Sequence, residues 1–584
     1  MTDDTKSNLP DQKALEQEIG EYLSSKYGDR IKIVSAGLFP QLEEDDPNVD
    51  SSKNESEMFD FDLKPEDLVA YLDEYVIKQD RAKAVLSTKI CTHFNRIRYL
   101  QEKNRSDTQS IGRVKNNILL VGPTGAGKTF LVKLIADRLG VPFVKGDATK
   151  FSETGYVGGD VDDLVRDLVR AADDDIAKAQ YGIIYVDEID KIAHRSGRGG
   201  LDVSRSGVQR ALLKPMEETE VDLKVPHDMI SQLEAMEHYR ITGKRKKRLV
   251  NTKNILFIMS GAFDGLQEIV HGRLHRKTIG FANELAADKP TAESLALARP
   301  EDLVEFGFES EFIGRLPITA VLESLGEDDL TAILTNVNCP LLIAKRQDFM
   351  VYGIKLAFEE SALAEIAKQA VKQNTGARAL VSVVENVLLP FEMKMPSTRI
   401  KFLTVTAKMV ENPEKELQDL LINAKRRDFH RRHFGMARKK QIKRLGDFFS
   451  EKKSEYLAAH GMKVTPARLR LLADYSFNEN IDPSSACDEF LMLGHHTIEW
   501  QEKIYKQCGV RLRFSEDAID YCLSLNPKTV EGIDVICGKL LKAAEYGLMI
   551  LENKKLSGKI TISADGMADP EKFINELVAE KLKL

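Results

Sequence analysis

KNNILLVGPTGAGKT, residues 115–129, decides how this chain folds. Its centre, from Ile118 to Val121, is apolar without interruption, which reads as a buried strand, and it breaks at Gly122 into a glycine turn. The turn carries the full G-x-x-x-x-G-K-T spacing in Gly122, Pro123, Thr124, Gly125, Ala126, Gly127, Lys128 and Thr129, with a helix expected to follow. The chemistry explains the spacing. Glycines let successive backbone N–H groups wrap a phosphate at a helix N-terminus, where unsatisfied donors and the helix dipole favour an anion. Lys128 then reaches the β and γ phosphates, and the Thr129 hydroxyl ligates Mg²⁺. These eight residues are the candidate nucleotide contacts.

Working outward, a second apolar run, Ile183 to Val186, ends in the carboxylates Asp187 and Glu188. Alone, an acidic pair at a strand end is a solvated turn. In a chain with a complete phosphate loop it points to ATP hydrolysis, with Asp187 in the Mg²⁺ shell and Glu188 orienting and deprotonating the attacking water. Further strand-like runs stand at VPFVK (141–145) and NILFIMSG (254–261), separated by helical segments such as VDDLVRDLVRAADDDIAKAQ (161–180). Alternating strands and helices predict an α/β domain, a parallel sheet with helices on both faces.

The chain is 584 residues long, too much for one small domain, and its 42% hydrophobic content supplies real cores. Cys91, Cys339, Cys487, Cys508, Cys522 and Cys537 are scattered, without a C-x-x-C pair or histidines at ligand spacing. They read as reduced packing residues, so zinc is not expected. No uncharged apolar run approaches the roughly 20 residues that cross a bilayer, and the polar, acidic N-terminus is unlike a signal peptide. A cytoplasmic protein without a membrane partner is expected. Net charge is -7, but residues 1–65 hold 16 Asp/Glu against 7 Lys/Arg, leaving the rest close to neutral. Residues 1–64 read as an acidic arm, with a short helix running into the linker-like EEDDPNVDSSKNESE.

Beyond about Leu316 the pattern turns helical, with one strand expected near 401–406. Here the chain repeats itself. GIKLAFEESALAEIAKQA, from Gly353, and GVRLRFSEDAIDYCLSLN, from Gly509, align without a gap at an offset of 156 residues. Leu356 meets Leu512, Phe358 meets Phe514, and the register continues to Gly376 and Gly532. The matches include glycines and strand-like positions as well as the apolar period, which favours a duplicated small domain. Between the copies, residues 425–444 carry ten Lys/Arg and one Asp. That run is either a solvated helix face or a site for RNA or an acidic partner.

LDEYVIKQDRAK, GPTGAGKT, DATKFSETGYVGGDV, IIYVDEIDKIA, SGVQRALLKPMEET, NILFIMSGAF, EDLVEFGFESEFIGRLP and TGARAL together resemble the ClpX family of AAA+ unfoldases, with the related HslU family second. The resemblance spans about residues 65–410. It implies a P-loop AAA+ large domain (65–316), a helical lid (317–420), and, beyond the family's usual length, a basic helical linker (421–470) and a degenerate lid-like module (471–584). It further implies a homohexameric ring using ATP and Mg²⁺. Tyr156 and Val157, flanked by Gly155 and Gly158, resemble the first pore loop that grips an unfolding polypeptide, and 201–207 take the place of the second. Arg315 resembles the arginine finger that completes a neighbour's ATP site, and Arg378 the lid's nucleotide sensor. Val76 and Ile77 resemble the wall around adenine, with core packing as the alternative. Ile279, Gly280 and Phe281 match the loop that docks a ClpP-type peptidase, a loop HslU lacks. The basic run 244–248 falls at the family's pore entrance.

Two departures stand out. The four-cysteine zinc domain that usually opens the family has no counterpart before Cys91, and Arg378 aligns with Asp534 in the second copy. The implied function is ATP-driven unfolding and threading of protein substrates, unfolded or tagged, with delivery to a ClpP-type ring. A peptidase-independent remodelling chaperone is one rival; a ring ATPase acting on nucleic acid, read from 425–444, is the less favoured other.

Overall fold

The computed structural model describes residues 61–102, 115–152, 159–194, 203–223, 248–276, 295–525, 529–553 and 560–582. The large domain carries strands β1 (Ile118–Val121), β2 (Phe143–Asp147), β3 (Ile183–Asp187), β4 (Glu220–Asp222), β5 (Leu249–Asn251), β6 (Leu256–Gly261) and β7 (Ile318–Val321). Five of them form one sheet in the order β2-β3-β6-β1-β7, every pairing parallel, while β4 and β5 make a separate antiparallel pair. Strands β1 and β6 are buried along their whole length, which is why both read as continuous apolar runs. Both faces of the sheet are covered, and the phosphate loop leaves the carboxyl end of the buried strand β1, the edge where open α/β sheets hold ligands.

The boundary with the lid sits a few residues later than the sequence suggests. Ile318–Val321 pairs with β1 as an edge strand, so the large domain runs to about residue 322. The junction is pinned from the other side by Gln79, whose buried side-chain amide exchanges two hydrogen bonds with the Glu323 backbone (2.9 and 2.7 Å).

The lid contains helices Glu327–Thr335, Pro340–Val351, Glu360–Val371 and Ala377–Lys394, then Ala407–Glu411 and Pro413–Ile422, around a parallel pair β8 (Lys355–Phe358) and β9 (Phe402–Val405). The C-terminal module repeats this order, with Pro483–Cys508, β10 (Leu512–Phe514), Glu516–Ser524, Val530–Asn553, β11 (Ile560–Ile562), Ala564–Ala568 and Pro570–Leu582. The likeness extends to single bonds. Gly353 and Gly509 both take left-handed φ (69° and 70°). Glu359 N–H donates to Val405 O, and Ser515 N–H to Ile562 O, each at 3.0 Å. Thr406 and Ser563 cap one short helix in each copy, and Asn412 and Asp569, each before a proline, cap the next.

Residues 421–470 are packed more closely than a linker. Helix Ala424–Phe448 buries Phe434, Ala437 and Leu445 in one core with the C-terminal module, which also takes in Ala357 and Phe402 of the lid strands. Its charges are partly absorbed by lid carboxylates: Arg426 and His430 pair with Glu416, His433 with Glu359, and Lys440 and Arg444 with Glu360. The six cysteines are buried and unbridged, as the scattered spacing suggests. Among the described residues no helix is long and apolar enough to cross a membrane.

The 421–470 segment and the module also touch the large domain. Lys453 pairs with Glu74 at 2.8 Å, with side chains only 14% and 10% exposed, and Tyr75 bonds Ser484 at 3.0 Å. The Glu74 carbonyl accepts from Asn336 and Asn338 of the lid, so large domain, lid, 421–470 segment and module meet at Glu74 and Tyr75. Removing one partner of such a pair strands a poorly hydrated charge. Lys453→Met is expected to lower stability by about 3 kcal/mol, read as a lower urea midpoint, and adding Glu74→Gln should recover most of it.

Candidate functional site

The phosphate loop owes its shape to two left-handed glycines, Gly125 (φ 78°) and Gly127 (φ 96°), the second capping helix Lys128–Leu139. A Cβ at either would be strained, and at Gly125 it would also stand 2.0 Å from the Thr375 carbonyl oxygen of the lid. Lys128 is buried, and its ammonium donates to the Gly122 and Pro123 carbonyls (2.5 and 3.0 Å). Burial pulls its pKa below the usual lysine value, against the nearby Asp187 and Asp190 charges.

Register in the sheet assembles the rest. Lys145 lies opposite Tyr185 and Asp147 opposite Asp187, and the two-residue alternation turns Lys145, Tyr185 and Asp187 to one face. Asp187 Oδ2 accepts from Thr129 Oγ1 at 3.2 Å and pairs with Lys145 Nζ at 3.0 Å. Its Oδ1 accepts from Ser260 Oγ at 2.6 Å and from the Glu188 N–H at 3.1 Å. Tyr185 hydroxyl bridges Ser260 (2.6 Å) and Thr129 (3.1 Å). Burial pushes that hydroxyl up to about 12, so it stays protonated. Burial alone would raise Asp187, but the Ser260 hydroxyl and Lys145 ammonium outweigh it and hold the carboxyl below its ordinary value. An ionised carboxylate beside a hydroxyl is a hard oxygen pair suited to Mg²⁺, which is typically held by one or two carboxylates plus substrate phosphates. Thr129 and Asp187 fit that ion.

Lys128, Thr129 and Asp187 line a cleft of about 340 Å³ together with Glu188, Asp190, Asp264 and Arg378, and Lys145, Tyr185 and Ser260 stand behind Asp187 and Thr129. Glu188 has φ 57°, an uncommon conformation for a residue with a side chain, and is exposed to the cleft. Arg378 reaches the cleft because the lid rests on the loop. Ala377 N–H donates to Gly125 O at 3.0 Å, and Gly376, at φ 58°, has no room for a Cβ against Gly125 and Thr124. In the second copy, Asp534 accepts instead from His496 and Trp500, both at 2.8 Å, within its own module.

Arg315 is not among the residues of the cleft. Its carbonyl accepts from Asn117, just ahead of β1, at 3.1 Å, and its guanidinium, 54% exposed, pairs with Glu217 at 2.6 Å. That is the amino end of the strand whose carboxyl end carries the phosphate loop. Val76 is buried and Ile77 half-buried, and neither lines the cleft; they precede Lys78 and Gln79, whose left-handed backbone leads into the lid junction. Tyr156, Val157, Ile279, Gly280, Phe281, residues 201–202 and 244–247 lie outside the described residues. Sequence reasoning missed Lys145, Tyr185 and Ser260. The only signal for Lys145 and Tyr185 was a polar side chain two residues before an aspartate in strands already identified, and for Ser260 a lone hydroxyl at the end of an apolar run.

Comparison with known proteins agrees with this fold. Residues 113–319 match the family model described as AAA domain (Cdc48 subfamily), and residues 325–396 match the C-terminal, D2-small domain, of ClpB protein. A relative from Treponema denticola, the ATP-dependent Clp protease ATP-binding subunit ClpX, is 39% identical over 373 residues, covering 62% of this chain and 84% of its own length. Both family models end before the C-terminal module.

Proposed function

The chain belongs to the ClpX family of AAA+ ATPases, and from that premise we propose that ATP turnover in the cleft drives unfolding of protein substrates through the pore of a homohexameric ring. The observation that carries this reading is the lid seated on the phosphate loop through Ala377 and Gly125, with Arg378 in the same cleft as Asp187 and Glu188. A nucleotide between them must separate or re-seat the lid. Occupancy is thereby converted into rotation of one body against another.

Within the site, the loop amides and Lys128 bind and orient the phosphates, and Thr129 and Asp187 would hold Mg²⁺. When bound, that ion would supply neutralisation of phosphate charge. Glu188 takes the proton from the attacking water. Arg378 senses the γ-phosphate from the lid, and Arg315 completes the site of the adjacent subunit. Val76 and Ile77 flank adenine. Tyr156, with Val157, grips the substrate: an aromatic ring offers apolar contact to almost any sequence. Ile279, Gly280 and Phe281 dock a ClpP-type peptidase, in line with the relative's description as a Clp protease subunit.

The nucleic-acid alternative rests on 425–444, where Arg426, Lys440 and Arg444 already have lid carboxylates as partners. The test is Tyr156→Ala. ATP turnover should stay within about twofold while unfolding of a tagged fluorescent protein falls by about tenfold or more. Unfolding at the full rate would overturn threading by this loop. Deleting 279–281 should spare unfolding and abolish peptidase-coupled degradation.

A further inference from the structure

Strand β2 delivers an ammonium to the metal-holding carboxylate, and nothing in the mechanism above uses it. Lys145 Nζ stands 3.0 Å from Asp187 Oδ2 and 5.8 Å from the centre of the Tyr185 ring. Its position is set by the backbone: Lys145 is paired with Tyr185 across the sheet, and β3 carries Asp187 two residues further on the same face. The carboxylate is fully subscribed. Oδ1 is taken by the Ser260 hydroxyl and the Glu188 amide, which leaves Oδ2 as the oxygen for a cation, and Lys145 and Thr129 both already address it. A carboxylate has about four lone-pair directions, and these four partners use them.

We propose that Lys145 tunes the Mg²⁺ dependence of nucleotide binding, by sharing Asp187 Oδ2 with the metal and moving to phosphate oxygens when a nucleotide is present. The side chain can make that move. It is 45% exposed, on a flexible four-carbon stem, and its ammonium is a point charge with three donors that suits phosphate as well as carboxylate. Without metal the ammonium offsets part of the phosphate charge, so nucleotide binds better than it would otherwise. With metal it competes for Oδ2, so Mg²⁺ improves binding less than it would otherwise. Both effects compress the ratio of nucleotide affinity with Mg²⁺ to affinity without it.

The inference rests on Asp187 as the Mg²⁺ ligand, and the experiment separates the two. Binding of a fluorescent ATP analogue to the full chain is measured in excess Mg²⁺ and in EDTA. Lys145→Met should raise the ratio of the two affinities by about two- to fivefold, the range of a partly exposed ion pair. Lys145→Arg, which keeps the charge, should leave the ratio near that of the unaltered chain. A purely structural role would shift both affinities together and leave the ratio unchanged; that result, or a lowered ratio, overturns the proposal. Asp187→Asn serves as the control. It should collapse the ratio toward one if Asp187 holds the ion, and a preserved ratio would refute the ligand assignment on which Lys145 depends.

Discussion

Glu188→Gln is expected to cut steady-state phosphate release by about 10²- to 10⁴-fold, the contribution of a general base, while ATP remains bound. The geometry separates the two effects. Glu188 is fastened through its backbone, its N–H donating to Asp187 Oδ1, whereas its side chain faces the cleft and is exposed. Replacing the carboxylate by an amide of the same shape leaves that backbone bond, the phosphate loop, Lys128 and the Thr129–Asp187 pair in place. What disappears is the basic oxygen that would receive the water proton. Neighbouring Asp187 cannot substitute, because Ser260 and the Glu188 N–H engage its Oδ1 and its Oδ2 is the oxygen turned to Thr129 and the Mg²⁺ position. The check is a pair of measurements on one sample, phosphate release and the amount of unhydrolysed ATP retained after rapid desalting. Turnover within about threefold of the unaltered chain would remove Glu188 as the base. Loss of ATP retention together with turnover would mean that the residue serves binding instead.

The legibility of this site followed the range of the interactions that build it. Gly122 to Thr129 could be read because a phosphate loop is made by one contiguous segment, and its two left-handed glycines are required locally. Asp187 and Glu188 followed from an apolar strand ending in carboxylates. Lys145 and Ser260 were hidden because they meet Asp187 only through parallel pairing, across 42 and 73 residues of chain. A lysine in VPFVK is equally compatible with solvent until the register with Tyr185 is known. The lid boundary was misplaced for the same reason: Ile318–Val321 is short, and only its pairing with β1 assigns it to the large sheet. The duplicated lid was visible because its markers are local, with Gly353 and Gly509 ending helices and each copy's strand following at once. Packing of 424–448 against the lid was not, because a helix with ten Lys/Arg spread along its length looks solvated until Glu359, Glu360 and Glu416 are brought beside it.

Arg315→Ala is expected to lower turnover by about 10³-fold or more, the scale on which an arginine finger acts, without weakening nucleotide binding to the same chain. The reason is its place in the fold. The phosphate loop begins at Gly122, after the carboxyl end of β1, while Arg315 is anchored by Asn117 at the amino end. Four strand residues at about 3.3 Å each already put roughly 13 Å between those ends. The guanidinium is moreover paired with Glu217, whose carbonyl also holds the Lys115 ammonium on that same side. So placed, the arginine lies outside the cleft of its own chain, and half of its surface is exposed. Mixing therefore gives a sharper test than the single variant. Arg315→Ala subunits keep an intact Glu188, and Glu188→Gln subunits keep an intact Arg315. When the two inactive proteins are co-assembled, each interface that sets the second kind's Arg315 against the first kind's ATP is complete. Turnover well above the sum of the separate proteins is expected. If Arg315 acted within its own chain, no pairing of the two could restore a complete site, and the mixture would stay at that sum.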